Sequence, residues 1–157
     1  DEAYWERLVR MLREKDIAQV AAHPEVEARC RNVVRQNSEY ADWLRKFTRI
    51  EGRVAITDFR SLAQPPSGNR FLAYSLFPET VASVRIRYEG PGRRTVAVNI
   101  GHSIFNPGCN VHAGRLLTAF GGGGHRGAAS ARFPAAKADV YLPRIIRRLA
   151  ENLPDLD

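Results

Sequence analysis

Residues 121–130 read GGGGHRGAAS and directly follow the apolar run RLLTAF of residues 115–120. A run of four glycines is typical of a flexible linker, which is the plainest alternative here. A linker joins domains, however, whereas this run lies between a predicted helix and a predicted strand. A glycine directly after a helix can adopt the left-handed cap conformation, and further glycines let backbone N–H groups converge on one anionic oxygen. The stretch therefore predicts a phosphate-binding loop.

The residues after the glycines fit the same interpretation. His125 supplies a protonatable donor at the rim of the loop, and Arg126 supplies a permanent positive charge. Residues 127–130 are all small, so a ligand can pack closely against the strand that follows. A phosphate-binding loop thus accounts for all ten residues, whereas a linker accounts for the four glycines alone.

A second candidate stretch, residues 99–112, reads NIGHSIFNPGCNVH and joins a predicted strand to the helix before the glycines. Ligand groups of α/β proteins gather where a strand ends in polar residues and a tight turn. Within the stretch only Cys109 and His112 have the spacing of a zinc-ligand pair, and no partner pair is present, so a structural zinc site is disfavoured. A nucleophilic Cys109 is also disfavoured, because no orienting acid is evident.

The composition indicates a soluble, basic protein with an anionic partner. The chain has 157 residues, 44% of them hydrophobic, and a net charge of +7 from 24 basic residues, mostly arginine. No apolar run is long enough to span a membrane, and two distant cysteines favour a reducing cytoplasm. Arginine suits phosphate or nucleic acid, although a GC-rich genome also favours it over lysine. A non-catalytic nucleic-acid-binding module is the alternative function, with a basic face formed by Arg85, Arg87, Arg144, Arg147 and Arg148.

The hydrophobic pattern predicts an α/β fold. The apolar spacing predicts that the first fifty residues are helical and contain no strand. One of these helices is predicted to begin at Pro24 and to end near Gly52. Strands are predicted over 54–59, 81–88, 94–100 and 128–133, and helices over 70–77, 110–120 and 141–153. Together these elements predict a mixed β-sheet of about five strands flanked by helices and preceded by a helical linker segment.

The decapeptide GGGGHRGAAS closely resembles the GGGHxxAAG signature of the DHH phosphoesterase superfamily, where it lies in the C-terminal, DHH-associated domain. The order GHSIFN, CN, helix and GGGGHRGA further resembles the exopolyphosphatase-related bacterial branch, which includes enzymes of the nano-RNase type. The resemblance covers roughly residues 53–157, as a substrate-binding domain. Residues 1–52 would then be a helical segment that combines the end of an N-terminal domain with the linker helix.

The resemblance implies a two-domain hydrolase that cleaves phosphoester or phosphoanhydride bonds with two Mn²⁺ ions. The ligands of those ions, including an Asp-His-His triplet, belong to the N-terminal domain, and this sequence contains no such triplet. The chain by itself is therefore expected to bind no metal and to be inactive. Short oligonucleotides, phosphonucleotides and polyphosphate remain open as substrates. The expected partners are this substrate and the N-terminal DHH domain, with homodimerisation left open and no membrane.

The resemblance also implies a set of site residues. Gly122, Gly123, Gly124 and His125 would hold the substrate phosphate, with Arg126 beside them. Many relatives have an Arg-Ser pair at the end of the strand where this sequence has His102 and Ser103, which are expected to replace that pair. Ser130 stands at the final glycine of the signature, a small change that leaves the pocket open. No catalytic residue and no metal ligand is expected within the chain.

Overall fold

A computed structural model describes residues 1–154 of the chain. The chain divides into two compact units, Asp1–Glu39 and Tyr40–Asp157, with the boundary inside one long helix. The division expected at residues 52 and 53 concerns domains of a larger protein and stays a prediction. No helix within residues 1–154 is both long and apolar enough to cross a bilayer.

The first unit is helical, as predicted. It contains α1 Glu2–Glu14, α2 Ile17–Ala21 and the first part of α3 Pro24–Phe47. Asp1 and Asp16 cap the first two helices, because their side chains accept hydrogen bonds from the backbone N–H groups of Tyr4 and Gln19. α3 begins at Pro24 as expected, where the missing N–H of proline removes no helical hydrogen bond.

The second unit is built on a mixed β-sheet. In the described residues it has six strands: β1 Thr48–Glu51, β2 Val54–Asp58, β3 Ala82–Glu89, β4 Thr95–His102, β5 Gly123–His125 and β6 Ala128–Pro134. Their order is β1-β2-β3-β4-β6-β5, where β2 and β3 are parallel and the other neighbours are antiparallel. The predicted α/β class and mixed sheet are confirmed; about five strands were expected and four were placed along the chain, and the sheet also contains β1 and β5.

The helical lead-in ends earlier than predicted. α3 ends at Phe47 and β1 follows at once, so the expectation of no strand in the first fifty residues is wrong. Thr48 and Ile50 are β-branched and favour extended backbone. Gly52 then adopts a φ of +58°, a left-handed conformation that suits glycine, and the resulting turn pairs β1 with β2.

The glycine run is divided between a helix end and a strand. The backbone N–H of Gly121 donates to the Thr118 carbonyl at 3.2 Å, and that of Gly122 donates to the Leu117 carbonyl at 2.9 Å. Gly121 has a φ of +75°, which confirms the left-handed conformation predicted after this helix. Residues 123–125 then form the edge strand β5, which the sequence does not predict because glycine has a low strand propensity.

One face of the sheet carries the main hydrophobic core. Two helices cover it, α5 Ala113–Thr118 and α6 Ala138–Glu151, whose ends lie two or three residues from the predicted ones. The buried cluster on this face includes Val84 and Ile86 of β3, Leu117 of α5, and Ile145 and Leu149 of α6. Because Val84 and Ile86 point into this core, the residues of β3 between them must point to the opposite face of the sheet.

The opposite face of the sheet is only partly covered. The alternating burial of β3 places Ser83, Arg85 and Arg87 on it. A short helix, α4 Leu72–Leu76, confirms the helix predicted over 70–77 and packs there with the end of α3. Their buried cluster consists of Tyr40, Leu44, Phe59 and Ala73. The part of the face beside this cluster forms the floor of a pocket.

Candidate anion-binding site

A pocket of about 420 Å³ lies on the partly covered face of the sheet, a volume in the range of small-molecule sites. The strand register places five of its lining residues directly opposite one another on neighbouring strands, in one row across the sheet. From β2 to β5 this row consists of Thr57, Arg85, Asn99, Ser130 and Gly123. The row gives the pocket a polar floor with one cation near its centre.

The residues around this row are small, which keeps the pocket open. Gly101, Ala128 and Gly124 line it on β4, β6 and β5. A side chain at Gly101 would have no room, because its Cβ would lie 2.3 Å from the hydroxyl oxygen of Tyr74. Gly124 has a φ of +148°, which L-residues rarely adopt, so this position also requires glycine. Glycine therefore shapes the pocket through the space that it leaves.

The charge of the pocket is positive and uncompensated. Arg70 and Arg85 line it, and none of its described lining residues is Asp or Glu. Arg85 is half-buried, its Nε is fully buried without a hydrogen-bond partner, and within residues 1–154 it has no ion pair. Its neighbour Arg87, by contrast, lies 3.1 Å from Glu89. A half-buried guanidinium without an ion pair is unusual, so Arg85 is a candidate contact for an anionic ligand.

The wall of the pocket beside α4 combines a cation with aromatic rings. The guanidinium of Arg70 lies 4.8 Å from the ring centroid of Phe71. The Ser83 hydroxyl donates to the Tyr74 hydroxyl oxygen at 3.1 Å. Burial raises the pKa of Tyr74, an effect that the Ser83 hydrogen bond and the Arg70 charge partly oppose. This wall can therefore hold an apolar or aromatic ligand group while Arg70 and Arg85 hold an anionic one.

The structure brings three of the seven predicted site residues to the pocket, namely His102, Gly123 and Gly124. His102 Nε2 lies 3.0 Å from the Val111 carbonyl oxygen and must donate to it, because a carbonyl only accepts. Burial lowers the pKa of His102; the Val111 hydrogen bond raises it, and the charges of Arg126 and His112 lower it further. The ring is therefore neutral near pH 7, so it adds no full positive charge to the pocket.

The other four predicted residues do not line the pocket. The backbone N–H of Gly122 donates to the Leu117 carbonyl at the end of α5. Ser103 is buried, and its hydroxyl oxygen accepts hydrogen bonds from the N–H groups of Phe105 and Asn106. His125 and Arg126 are exposed at the β5–β6 turn. His125 is opposite Ala128 in the register, so its side chain starts on the pocket face, at the edge of the sheet. Its contact with phosphate stays a prediction.

Arg70, Asn99 and Ser130 line the pocket but are not among the predicted site residues, although Asn99 begins the second candidate stretch. Arg85 is predicted from the sequence only as part of a basic face. Arg85 and Asn99 each lie between two apolar residues of a strand, in the stretches VRI of residues 84–86 and VNI of residues 98–100. This pattern indicates the face of a strand, but it does not show what covers that face.

The basic face of five arginines is not formed. Arg85 and Arg87 lie on the pocket face, whereas Arg144, Arg147 and Arg148 belong to α6, which packs on the core face. Within the described residues no group of three or more His, Cys, Asp or Glu side chains could hold a metal ion. The residues present therefore do not fit a manganese centre.

No protein-family model and no curated protein matches the chain. Among solved structures, the pGpG-specific phosphodiesterase PggH from Vibrio cholerae matches 97% of this chain and 51% of its own, with a TM-score of 0.89 and 20% identity. An exopolyphosphatase-related protein from Bacteroides fragilis matches 96% of this chain and 44% of its own, with a TM-score of 0.55 and 11% identity. The DHH domain of a member of a ribosomal-protein family matches 83% of this chain and 34% of its own, with a TM-score of 0.54 and 14% identity.

The chain shares the fold of part of each of these structures, which include a phosphodiesterase and a DHH domain. The predicted resemblance is thereby confirmed at the level of fold. The chain spans about half of the first of these structures and less of the other two. At these identities the likeness concerns the fold alone.

Proposed function

We propose that this chain is the substrate-binding part of a phosphoesterase and that it holds the phosphate of a short oligonucleotide or nucleotide in the pocket around Arg85. The observation that supports it is Arg85, a half-buried cation with no ion pair within residues 1–154, in a pocket whose described lining has no acidic residue. A guanidinium offers planar paired donors that match phosphate oxygens. The fold shared with a phosphodiesterase is consistent with this proposal.

The pocket favours a nucleotide over bare polyphosphate. Phe71 and the apolar side chains of Leu44 and Ile104 line it beside the cationic residues. An aromatic ring next to an arginine suits a stacked base, which polyphosphate lacks. The parent enzyme of this proposal carries its Mn²⁺ ions and its bond-breaking chemistry in an N-terminal DHH domain, so the chain alone is expected to be inactive. Its own contribution is to orient the substrate and to offset the phosphate charge.

Calorimetric titration of the 157-residue chain tests the proposal. The probes are pGpG, unphosphorylated GpG and inorganic tripolyphosphate, each with the wild type, Arg85→Gln and Arg115→Gln. We expect pGpG to bind at least tenfold more tightly than GpG, and Arg85→Gln to weaken pGpG about tenfold to a hundredfold through the loss of a charge-assisted contact. Arg115 is exposed on α5, on the other side of the sheet, so its variant controls for net charge.

Each further outcome has a defined meaning. Equal affinity of Arg85→Gln and the wild type for pGpG would contradict the site, and so would the absence of binding to every probe. Tighter binding of tripolyphosphate than of pGpG would assign the pocket to polyphosphate. A further titration with single-stranded RNA tests the alternative, because binding with a steep salt dependence and no need for a terminal phosphate would favour the nucleic-acid-binding module.

A further inference from the structure

We propose that the side-chain amide of Asn99 is a second donor to the substrate phosphate, beside Arg85, and that Arg87 is the positioning residue that fixes this amide. The proposal rests on the proposed function, since it concerns the same pocket. It assigns a binding role to a residue that neither the glycine signature nor the charge pattern indicated.

Asn99 and Arg85 are neighbours on the floor of the pocket. They are directly opposite each other in the antiparallel register of β3 and β4, and both line the pocket. Opposite residues of such a pair have Cβ atoms about 5 Å apart and point to the same face. A phosphate group that contacts Arg85 is therefore within reach of the Asn99 side chain.

Arg87 determines which way the Asn99 amide points. Its Nη1 donates to Asn99 Oδ1 at 2.8 Å, and its Nη2 donates to Glu89 Oε1 at 3.1 Å. A guanidinium has donors only, so the atom that faces Arg87 must be the amide oxygen. Glu89 holds Arg87 from the other side and is itself bonded to Arg132. The chain from Glu89 through Arg87 thus fixes the amide orientation.

The fixed orientation leaves Asn99 as a donor towards the pocket. Its oxygen is occupied by Arg87, while Nδ2 has no hydrogen-bond partner among the described residues. Arg85 likewise offers donors only. The centre of the floor therefore favours a ligand group that only accepts hydrogen bonds. A phosphate dianion is such a group, whereas the edge of a nucleobase carries both donors and acceptors.

Two variants of Asn99 separate this role from a structural one. Asn99→Asp keeps an oxygen for Arg87 and the side-chain shape, but it removes both N–H donors and adds a negative charge towards the phosphate. Asn99→Ala removes the whole group. We expect about a tenfold or greater loss of pGpG affinity in each, with Asn99→Asp at least as weak as Asn99→Ala, because hydrogen bonds to charged groups are the stronger ones. Circular dichroism and thermal melting report whether each variant folds.

Nuclear magnetic resonance observes the proposed donor directly. The ¹⁵N-bound NH₂ pair of Asn99 is identified by its absence from the spectrum of Asn99→Asp. We expect this pair to shift as pGpG saturates the wild type, and to shift less or to broaden in Arg87→Ala, where the amide is no longer held. An unshifted pair in saturated wild-type protein would overturn the proposal.

A double-mutant cycle tests the positioning role of Arg87. If Arg87 acts through Asn99, Arg87→Ala weakens pGpG binding in the wild type but changes it less than about twofold in the Asn99→Ala background. Arg132→Ala is the matched control, because Arg132 bonds to the same Glu89 but does not contact Asn99. Equal losses from Arg87→Ala in both backgrounds would show that Arg87 does not act through Asn99.

The failure of this inference differs from the failure of the proposed function. If Arg85→Gln loses pGpG binding while both Asn99 variants bind as the wild type does, the phosphate site stands and the role of Asn99 is refuted. If the wild type binds no phosphorylated probe, both proposals fail.

Discussion

Arg85 on β3 and Asn99 on β4 are directly opposite each other in the sheet, and Arg85 has a buried Nε that no described residue satisfies. The neighbouring arginine Arg87 is bonded to both Asn99 and Glu89. Folding therefore gives Arg87 an acidic partner and leaves Arg85 without an ion pair among the described residues. A half-buried cation without a partner costs free energy in the empty protein, and this cost is recovered when an anion binds.

Replacing Arg85 should consequently weaken ligand binding without weakening the fold. In Arg85→Met the stem of the side chain can still pack, and the desolvated charge is gone. We expect the free energy of unfolding without ligand to stay the same or to rise by about 1 kcal/mol. At a pGpG concentration of about 100 times the wild-type Kd the wild type should gain about 2.7 kcal/mol, and binding that is tenfold to a hundredfold weaker should reduce this gain to about 0.4–1.4 kcal/mol in the variant. Denaturant unfolding with and without pGpG measures both, and a large loss of stability in ligand-free Arg85→Met would instead indicate a structural role.

The glycines of the run should differ sharply in their tolerance of alanine. A Cβ at Gly122 would lie 2.3 Å from the backbone oxygen of Ser130, whereas a Cβ at Gly123 would meet nothing within 4 Å. We expect Gly122→Ala to lower the free energy of unfolding by about 2 kcal/mol or more, and Gly123→Ala to change it by less than about 0.5 kcal/mol. Thermal and denaturant unfolding measure the two variants side by side.

Gly123 also allows a test of the pocket itself. It lines the pocket on β5, so Gly123→Val should fill space there and weaken pGpG binding while the protein still folds. Unchanged affinity in a folded Gly123→Val protein would show that the ligand does not approach the glycine run.

Gly101 and Tyr74 should be energetically coupled. A Cβ at Gly101 would lie 2.3 Å from the Tyr74 hydroxyl oxygen but 3.6 Å from its Cζ. Gly101→Ala should therefore destabilise the protein by about 1–3 kcal/mol. Tyr74→Phe removes the clashing oxygen at a cost of about 1 kcal/mol, because the hydrogen bond with Ser83 is lost. The double variant should be more stable than the sum of the two losses predicts, and strict additivity of the unfolding free energies would contradict the contact.

His102 should make the stability depend on pH. Burial holds its pKa below the usual 6.5; its hydrogen bond to Val111 opposes this effect, and the Arg126 and His112 charges reinforce it. The unfolded chain then binds more protons than the folded one just below pH 6.5, so the free energy of unfolding falls as the pH drops through this range. His102→Gln, which keeps an N–H donor for Val111, should reduce that fall. The imidazole ¹³C shift of His102 measures its pKa, and a value above the usual one would contradict the burial.

Periodic patterns in the sequence predicted the elements of the fold well. The alternation of Val84 and Ile86 with Arg85 and Arg87 predicted a half-buried strand, and β3 has that alternation. Proline at residue 24 correctly indicated the start of α3. The two strands that were missed, β1 and β5, are short edge strands, whose residues are extended because a partner strand lies beside them. Local propensity carries little information about such pairing.

The candidate site was predicted less completely. Two residues of the glycine motif, Gly123 and Gly124, line the pocket. The motif did not indicate that the backbone N–H of Gly122 would be used by the end of α5. It also gave no sign that Arg85 and Asn99, fourteen residues apart in the chain, would lie side by side on the pocket floor.

The sequence by itself determined the fold class, the helical lead-in and the strands with strong alternation, because these depend on local periodicity and on the conformational limits of glycine and proline. The tertiary structure alone decided which polar residues share the pocket and which arginine keeps an uncompensated charge. Both depend on strand register and on which ion pairs form, and these are set by packing between segments that are distant in the chain.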